Sequence, residues 1–424
     1  MDFLQELDWR NMLHDVTPGA KEYLKKKNAV GYIGFDPTSD SLHIGSLVQI
    51  MILVHFQKAG HKPIALLGGA TGMVGDPSGK SKERNLLTKK EIDHNIKKIK
   101  KQLEKFLTFD CDKNSAEIIN NYNWFKNFNL LSFIRDIGKH ITISYMLTKD
   151  SVQSRMKAGL SFTEFTYQLI QGYDFYHLYK HHNCSIQLGG SDQWGNIVTG
   201  TELIRRLEGG SAFAATTPLI TKSDGGKFGK TEEGNIWLDP KKTSPYKFYQ
   251  FWLNTSDEDA KKYIRIFTLL SKKEINELEA QHNNAPHLRV IQTTLAKDIT
   301  NRVHSKKDTE IAVNTSRILF GKSTKEDLEK LDNNAVLSAF EGVPKYNVEK
   351  KSITKKVNIL VLLTELTSVF QSKSEARRML KDNAISINKL KVSEEAFINL
   401  NDTINNAFII VQKGKKSYHL INIT

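Results

Sequence analysis

The chain has 424 residues, 39% hydrophobic and 25% charged, too long for one ordinary core, and its two cysteines, Cys111 and Cys184, exclude a disulfide framework or a cysteine-built zinc site. No run approaches the roughly 20 apolar residues of a membrane helix, and acids stand near the start where a secretory leader needs bases, so a cytoplasmic protein without membrane contact is expected. The formal charge of +14 favours a polyanionic partner, nucleic acid being the commonest, or else reflects solvated lysine faces.

Residues 1–28 read as helical, with Leu4, Leu7, Met12 and Leu13 on one stripe. Gly31 to Gly45 is an apolar strand signal, a turn-rich loop at Asp36-Pro37-Thr38, and a helix opening at Ser41-Leu42-His43. Such a helix start presents unpaired N–H groups and a positive dipole end, which suit phosphate. His43 can add a hydrogen bond there, and Gly45 lets a flat base approach the helix. The helix continues from Leu47 to Ala59, Gly60 to Pro63 ends it, and Ile64 to Leu67 is a second strand. Strand, helix and strand make a βαβ unit, which implies a parallel sheet with ligand at its carboxyl edge.

That second strand runs into Gly68 to Lys80, where glycines at 68, 69, 72, 75 and 79 imply close backbone approach to a ligand. Asp76 is either an ammonium partner or a turn aspartate, while Lys80, Lys82 and Arg84 could meet phosphates. Lys89 to Phe106 has helical apolar spacing, its lysines forming a solvated face or an RNA contact. Residues 115–150 suggest another strand and helices without a motif.

Tyr167, Gln171 and Asp174 fall at i, i+4 and i+7, so they share one face of a helix. That face is either solvated or a hydrogen-bonding wall inside a pocket. Cys184 to Leu188 reads as a strand entering a second glycine-rich turn, Gly189 to Asn196, where Asp192 suits ribose hydroxyls. Thr217 to Thr221 is expected as the last strand. Ser223 to Gly234 follows as a loop rich in glycine around Lys227 and Lys230, either a solvated hairpin or a mobile basic loop that closes over pyrophosphate.

Beyond it the expected organisation is an all-helical segment over 241–322, a linker over 323–355 and a small domain over 356–424. In that last part, residues 372–388 read as a basic helix, a turn and a strand. Lys373, Arg377 and Lys381 share a helix face, with Lys413, Lys415 and Lys416 near the end, and this clustering strengthens the RNA reading.

Taken together, these motifs resemble bacterial tyrosyl-tRNA synthetases, class I enzymes with an S4-like C-terminal domain. Gly34 to Gly45 resembles the family's first ATP motif and Lys227-Phe-Gly-Lys-Thr231 its second. Gly68 to Lys80, Thr166 to Asp174 and Gln187 to Asn196 are similar to the substrate loops between them, and residues 372–388 to the S4 domain. The implied fold is α/β: a Rossmann-like nucleotide-binding parallel sheet over 1–240, then the helical segment and linker, then a small α+β RNA-binding domain over 356–424.

The resemblance implies activation of tyrosine by ATP to tyrosyl-adenylate and pyrophosphate, then transfer to the terminal ribose of tRNA(Tyr), in a homodimer. ATP is a substrate accompanied by Mg²⁺, with no metal held by the protein. By resemblance Tyr32 and Asp174 meet the phenol hydroxyl, and Asp76, Tyr167 and Gln171 the ammonium. Asp36, Gln187 and Gln193 face the carboxylate and α-phosphate. Thr38, His43, Lys80, Arg84, Lys227, Lys230 and Thr231 serve the phosphates. Gly34, Gly45, Ser46, Gly190, Asp192 and Ile220 complete the ATP site, and Lys373, Arg377, Arg378 and Lys381 the RNA contact.

Two positions depart from the family pattern. Ser46 stands where a second histidine usually follows Gly45, and Ile33 where some members carry a polar residue near the ribose. The rival readings are a tryptophanyl-tRNA synthetase of the same plan, a non-catalytic RNA-binding protein on a synthetase scaffold, and a small-molecule nucleotidyltransferase, which would not need residues 356–424.

Overall fold

Five parallel strands organise the first part of the chain: β1 (Val30–Phe35), β2 (Lys62–Leu67), β3 (Glu117–Asn120), β4 (Cys184–Gly190) and β5 (Phe213–Thr217), in the spatial order β3-β2-β1-β4-β5. The structure is a computed structural model describing residues 2–424 apart from 27, 79–85, 157–158, 227, 232–233, 321–324, 342 and 415–416. Strand order reverses between β1 and β4, which opens a crevice beyond their carboxyl ends. In β2 every residue from Pro63 to Leu67 is buried, as a strand covered on both faces must be.

The helices around this sheet are α1 (Phe3–Trp9), α2 (Ile44–Lys58), α3 (Lys89–Leu103), α4 (Phe162–His182) and α5 (Trp194–Glu208). Helix α2 is apolar nearly all round and buried accordingly, with Ile44, Ile50, Met51, Leu53 and Phe56 fully inside. Helices α3 and α4 each start with a capping box, Thr88 with Glu91 and Ser161 with Glu164. Helix α3 buries Ile92, Ile99 and Leu103 and turns its lysines outward.

Strand β5 ends where Thr217 to Thr221 is expected to begin. Pro218 lacks the N–H a ladder needs, and the small residues Ala214 to Thr217, buried before it, carry the pairing with β4. Strands β6 (Lys230–Thr231) and β7 (Gly234–Asn235) form a short antiparallel pair.

The expected helical segment is present over 245–320, through α6 (Pro245–Leu253), α7 (Asp257–Phe267), α8 (Lys272–Asn284), α9 (Val290–Val303) and α10 (Lys306–Phe320). It is not a domain of its own. One compact unit comprises residues 1–242 and 255–295, the other residues 243–254 and 296–424. Within the first, the buried Arg10 guanidinium donates to the carbonyls of Arg265 (2.5 Å) in the last turn of α7 and of Thr268 (3.0 Å) and Leu270 (2.7 Å) beyond it, and its Nε to Glu6 (2.8 Å).

In the second unit β8 (Lys345–Val348), β9 (Ile385–Ile387), β10 (Leu390–Lys391), β11 (Phe408–Lys413) and β12 (Ser417–Ile423) form a sheet ordered β10-β9-β11-β12-β8, with α11 (Lys373–Lys381) beside it. Residues 323–355 are therefore no linker: β8 pairs parallel with β12, and Val348 and Ile353 share a core with Ile421 and Ile423. The sparse apolar residues there are those that anchor the segment. Among the described residues no helix is long and apolar enough to cross a membrane.

Candidate active site

A cavity of about 320 Å³ lies beyond the carboxyl ends of β1 and β4. It brings together Tyr32, Gly34, Asp36, His43, Gly45 and Ser46 from the first motif, Asp76, Tyr167, Gln171 and Asp174 from the next two, and Gln187, Gly190, Asp192 and Gln193 from β4 and the turn that follows it. Residues spread over 160 positions converge because each motif leaves a strand end or a facing helix at the same edge.

At the buried end Asp174 is 1% exposed. Its Oδ2 accepts from Asn121 Nδ2 and its Oδ1 from Trp124 Nε1, both at 2.9 Å. Burial pushes the carboxyl up to about 8, against the two hydrogen bonds, and nearby Asp36 adds to the rise. The Tyr32 hydroxyl, equally buried, has no hydrogen-bond partner, and burial and then Asp174 hold its pKa well above that of a free phenol. A hydroxyl that can donate and accept, beside a carboxyl already fixed by two donors, suits a ligand hydroxyl.

The next wall is a hydrogen-bonded chain. Asp36 accepts from Tyr167 Oη (2.9 Å) and Thr71 Oγ1 (2.7 Å). Asp76 accepts from Gln193 Nε2 (2.7 Å) and the Ser78 amide (2.9 Å), and Asn196 Nδ2 reaches Gln171 Oε1 at 3.1 Å. Asp76 therefore has both features the sequence left open, a turn bond and a place in the cavity wall. Asp36 approaches Gly68 so closely that a Cβ there would lie 2.1 Å from its Oδ1, which explains the glycine after β2. The Asp76 carboxylate in this wall suits a ligand ammonium.

At the mouth His43 caps α2, its Nδ1 accepting the Gly45 amide at 3.0 Å. That bond places the neutral ring's proton on Nε2, which makes it a donor. The segment after β7 is stitched beside it: Ile44 N donates to Ile236 O (3.0 Å) and Leu238 N to Leu42 O (2.9 Å), with the His43 and Trp237 rings edge to face. The base of the second motif thus adjoins the first.

Exposed Thr38 and half-buried Ile220 lie outside the cavity lining, although Leu219, next to Ile220, lines it. Lys80, Lys82, Arg84 and Lys227 lie outside the described residues, as do Lys415 and Lys416, whereas the backbones of Lys230 and Thr231 form β6. On α11, Lys373 pairs with Glu365 (2.5 Å) and Arg377 with Glu394 (2.6 Å); Arg378 and Lys381 are exposed. Lys413 pairs with Glu375 at 2.9 Å. Among the described residues no group of three or more His, Cys, Asp or Glu is placed to hold a metal ion.

Sequence reasoning misses Thr71, Asn121, Trp124 and Gln49. The first three act through Asp36 and Asp174, partners far away in sequence, and Gln49 sits in the apolar run of α2. One polar residue inside the apolar run Leu47 to Val54 is the one available signal for Gln49.

Residues 24–321 match the family model of tRNA synthetases class I (W and Y), and residues 321–421 that of the tyrosine--tRNA ligase SYY-like C-terminal domain. The chain is 58% identical over 423 residues to a tyrosine--tRNA ligase of Cytophaga hutchinsonii and 57% over 427 to one of Porphyromonas gingivalis, covering 99% of both chains each time. Among solved structures, a C-terminally truncated mitochondrial tyrosyl-tRNA synthetase of Aspergillus nidulans superimposes with a TM-score of 0.68 at 31% identity, over 75% of this chain and 94% of that one. A tryptophanyl-tRNA synthetase of Plasmodium falciparum, at 13% identity and a TM-score of 0.52 over 79% and 87%, shares the fold alone. On the identity and coverage of these relatives, the chain belongs to the tyrosine--tRNA ligase family of class I tRNA synthetases.

Proposed function

We propose that the chain joins tyrosine to tRNA(Tyr) in two steps, with tyrosine seated toward Tyr32 and Asp174 and ATP along His43, Ser46, Gly190 and Asp192. The observation that carries this reading is the unpartnered Tyr32 hydroxyl beside Asp174 at the buried end of the cavity. Tyr32 can donate and accept, which suits a phenol better than an indole N–H, a donor only. Buried groups built for a hydroxyl are left unpaired by phenylalanine, and tyrosyl-tRNA synthetases are the known example of selection by this means.

In the first step a tyrosine carboxylate oxygen attacks the α-phosphorus of ATP, and pyrophosphate leaves. In the second a terminal ribose hydroxyl of tRNA attacks the activated carbonyl, and AMP leaves. Neither step needs a covalent enzyme intermediate, so the protein's work is positioning and charge stabilisation. Asp76, Tyr167 and Gln171 hold the ammonium; Asp36, Gln187 and Gln193 orient the carboxylate. His43 Nε2, with Thr38, Lys80, Arg84, Lys227, Lys230 and Thr231, meets the phosphates, and Gly34, Gly45 and Ile220 adjoin the nucleoside. Mg²⁺ enters with ATP as its counter-ion. Exposed Arg378 and Lys381, with Lys373 and Arg377 in surface pairs that phosphate can replace, contact tRNA. Cytoplasmic location follows from the substrates.

The working form is a homodimer. Leu130, Leu131, Ile143 and Phe162 are 66–79% exposed around an apolar groove of about 1130 Å³, and contiguous exposed apolar surface of this kind suits a protein-interaction face. A second copy covers it, and Leu131→Asp with Phe162→Asp should convert a dimer to a monomer in light scattering.

Tyrosine-dependent exchange of pyrophosphate into ATP, without tRNA and beside tryptophan and phenylalanine, tests the function. Exchange with tyrosine alone is expected, with selectivity over phenylalanine reduced by Tyr32→Phe. Exchange driven by tryptophan, or none at all, would overturn the reading. Charging of tRNA then tests the second step and separates a ligase from a small-molecule nucleotidyltransferase.

A further inference from the structure

We infer that Gln102 is a positioning residue for His43: its side-chain amide clasps the two residues that precede the histidine and fixes where the ring stands. The inference rests on the role of His43 at the phosphates proposed above. Gln102 lies in the last turn of α3 and outside the cavity lining. Asn95, two turns earlier on the same face, donates to the Pro37 carbonyl at 2.9 Å. This side of α3 is thus applied to the loop between β1 and α2 at both ends.

The clasp has two points. Leu42 N donates to Gln102 Oε1, and Gln102 Nε2 donates to Ser41 Oγ, both at 2.9 Å. A backbone N–H can only donate, so it holds Oε1 toward Leu42 and leaves Nε2 for the hydroxyl. Buried Ser41 is then complete: its hydroxyl also donates to Leu42 O at 2.8 Å and accepts Asp239 N at 3.1 Å. Leu42 O accepts Leu238 N as well, at 2.9 Å. Gln102 on one side and the segment after β7 on the other therefore hold the residue immediately before His43.

His43 is the N-cap of α2 with extended backbone, φ −118° and ψ 172°, so the hydrogen-bond ladder of the helix does not hold the peptide before it. The Gly45 bond orients the ring, and the Leu42 peptide decides where the ring is carried. Where catalysis is positioning, a shift of about 1 Å there is enough to lose most of the benefit of the histidine.

Pre-steady-state adenylate formation by the full chain tests this, with Gln102→Met introduced into the parent and into His43→Asn. Methionine keeps the length of the side chain and removes both bonds. In the parent the rate should fall about tenfold, with the affinity for tyrosine unmoved. In His43→Asn the same change should cost less than about twofold, because a residue that acts through His43 has nothing left to place. Equal losses in the two backgrounds, or no loss in the parent, overturn the assignment. Gln102→Glu keeps the acceptor for Leu42 N and loses the donor to Ser41, so its rate should fall between those of the parent and Gln102→Met. It carries the same comparison if Gln102→Met does not fold, as circular dichroism would reveal. Hydrogen–deuterium exchange gives a reading apart from activity: the Leu42 amide should lose protection in Gln102→Met, and unchanged protection also overturns the clasp. Failure of the parent to form adenylate would instead sink the proposed function, so the two failures are distinguishable.

Discussion

Trp124 donates its indole N–H to Asp174 Oδ1 across 2.9 Å while its ring lies flat on His177, 4.2 Å between centroids. Burial and the adjacent His181 and His182 push His177 down to about 4, so the stacked imidazole is neutral at ordinary pH. The carboxyl at the buried end of the cavity is thus aimed by a ring that is itself held in place. Trp124→Phe keeps the stacking and removes the donor. Its KM for tyrosine in pyrophosphate exchange should rise about tenfold, with the KM for ATP unchanged.

The pH dependence of stability should carry the signature of Asp174. Its folded pKa of about 8 exceeds the ordinary carboxyl value of 3.8, so the folded chain binds more protons between those limits. The stabilisation is complete below about pH 4 and is lost as pH rises through 8. Urea melts of the parent and of Asp174→Asn at several pH values should differ by a pH-dependent amount of up to about 5 kcal/mol, the parent losing ground upward across that window. A pH-independent difference would show that the carboxyl is ionised throughout.

His43 is expected to act on the departing phosphates through Nε2, because Nδ1 is engaged by the Gly45 amide. His43→Asn retains a helix-capping side chain, but its amide donor is shorter than the imidazole and does not reach where Nε2 does. Pre-steady-state adenylate formation should slow about 100-fold, close to 3 kcal/mol, with little change in tyrosine affinity.

Arg10 is a test of stability apart from catalysis. Its guanidinium satisfies three carbonyls at and just beyond the end of α7 and pairs with Glu6. Arg10→Met should cost about 3 kcal/mol in chemical denaturation, since it strands buried acceptors and a carboxylate together. Exchange kinetics below the melting range should be preserved.

For α11, Arg377→Gln with Lys381→Gln should raise the KM for tRNA and flatten its salt dependence by about one unit of log–log slope per lost phosphate contact. Tyrosine-dependent exchange, which needs no tRNA, should not change.

Legibility in the sequence followed the density of punctuation. Glycine, proline and aspartate mark the loops after β1, β2 and β4 so strongly that the residues they carry can be assembled before any coordinates, and Tyr32, Asp36, Asp76 and Gln193 do line one cavity. Asn121 and Trp124 stay silent because their significance is a bond to Asp174, some fifty residues later. Strand β5 is hard to see since its Ala and Thr residues are buried without being strongly apolar. Residues 345–348 look like solvated chain, yet they form an edge strand whose partner lies at 420–423, a pairing with no local signal.

The backbone bonds from Ile44 to Ile236 and from Leu238 to Leu42 tie the rim of α2 to the foot of the loop ahead of it. In hydrogen–deuterium exchange these amides should open together, as a single cooperative patch. A lesion at Trp237, which never needs to touch nucleotide, would then loosen the histidine opposite it, so distant substitutions in that foot can mimic active-site defects.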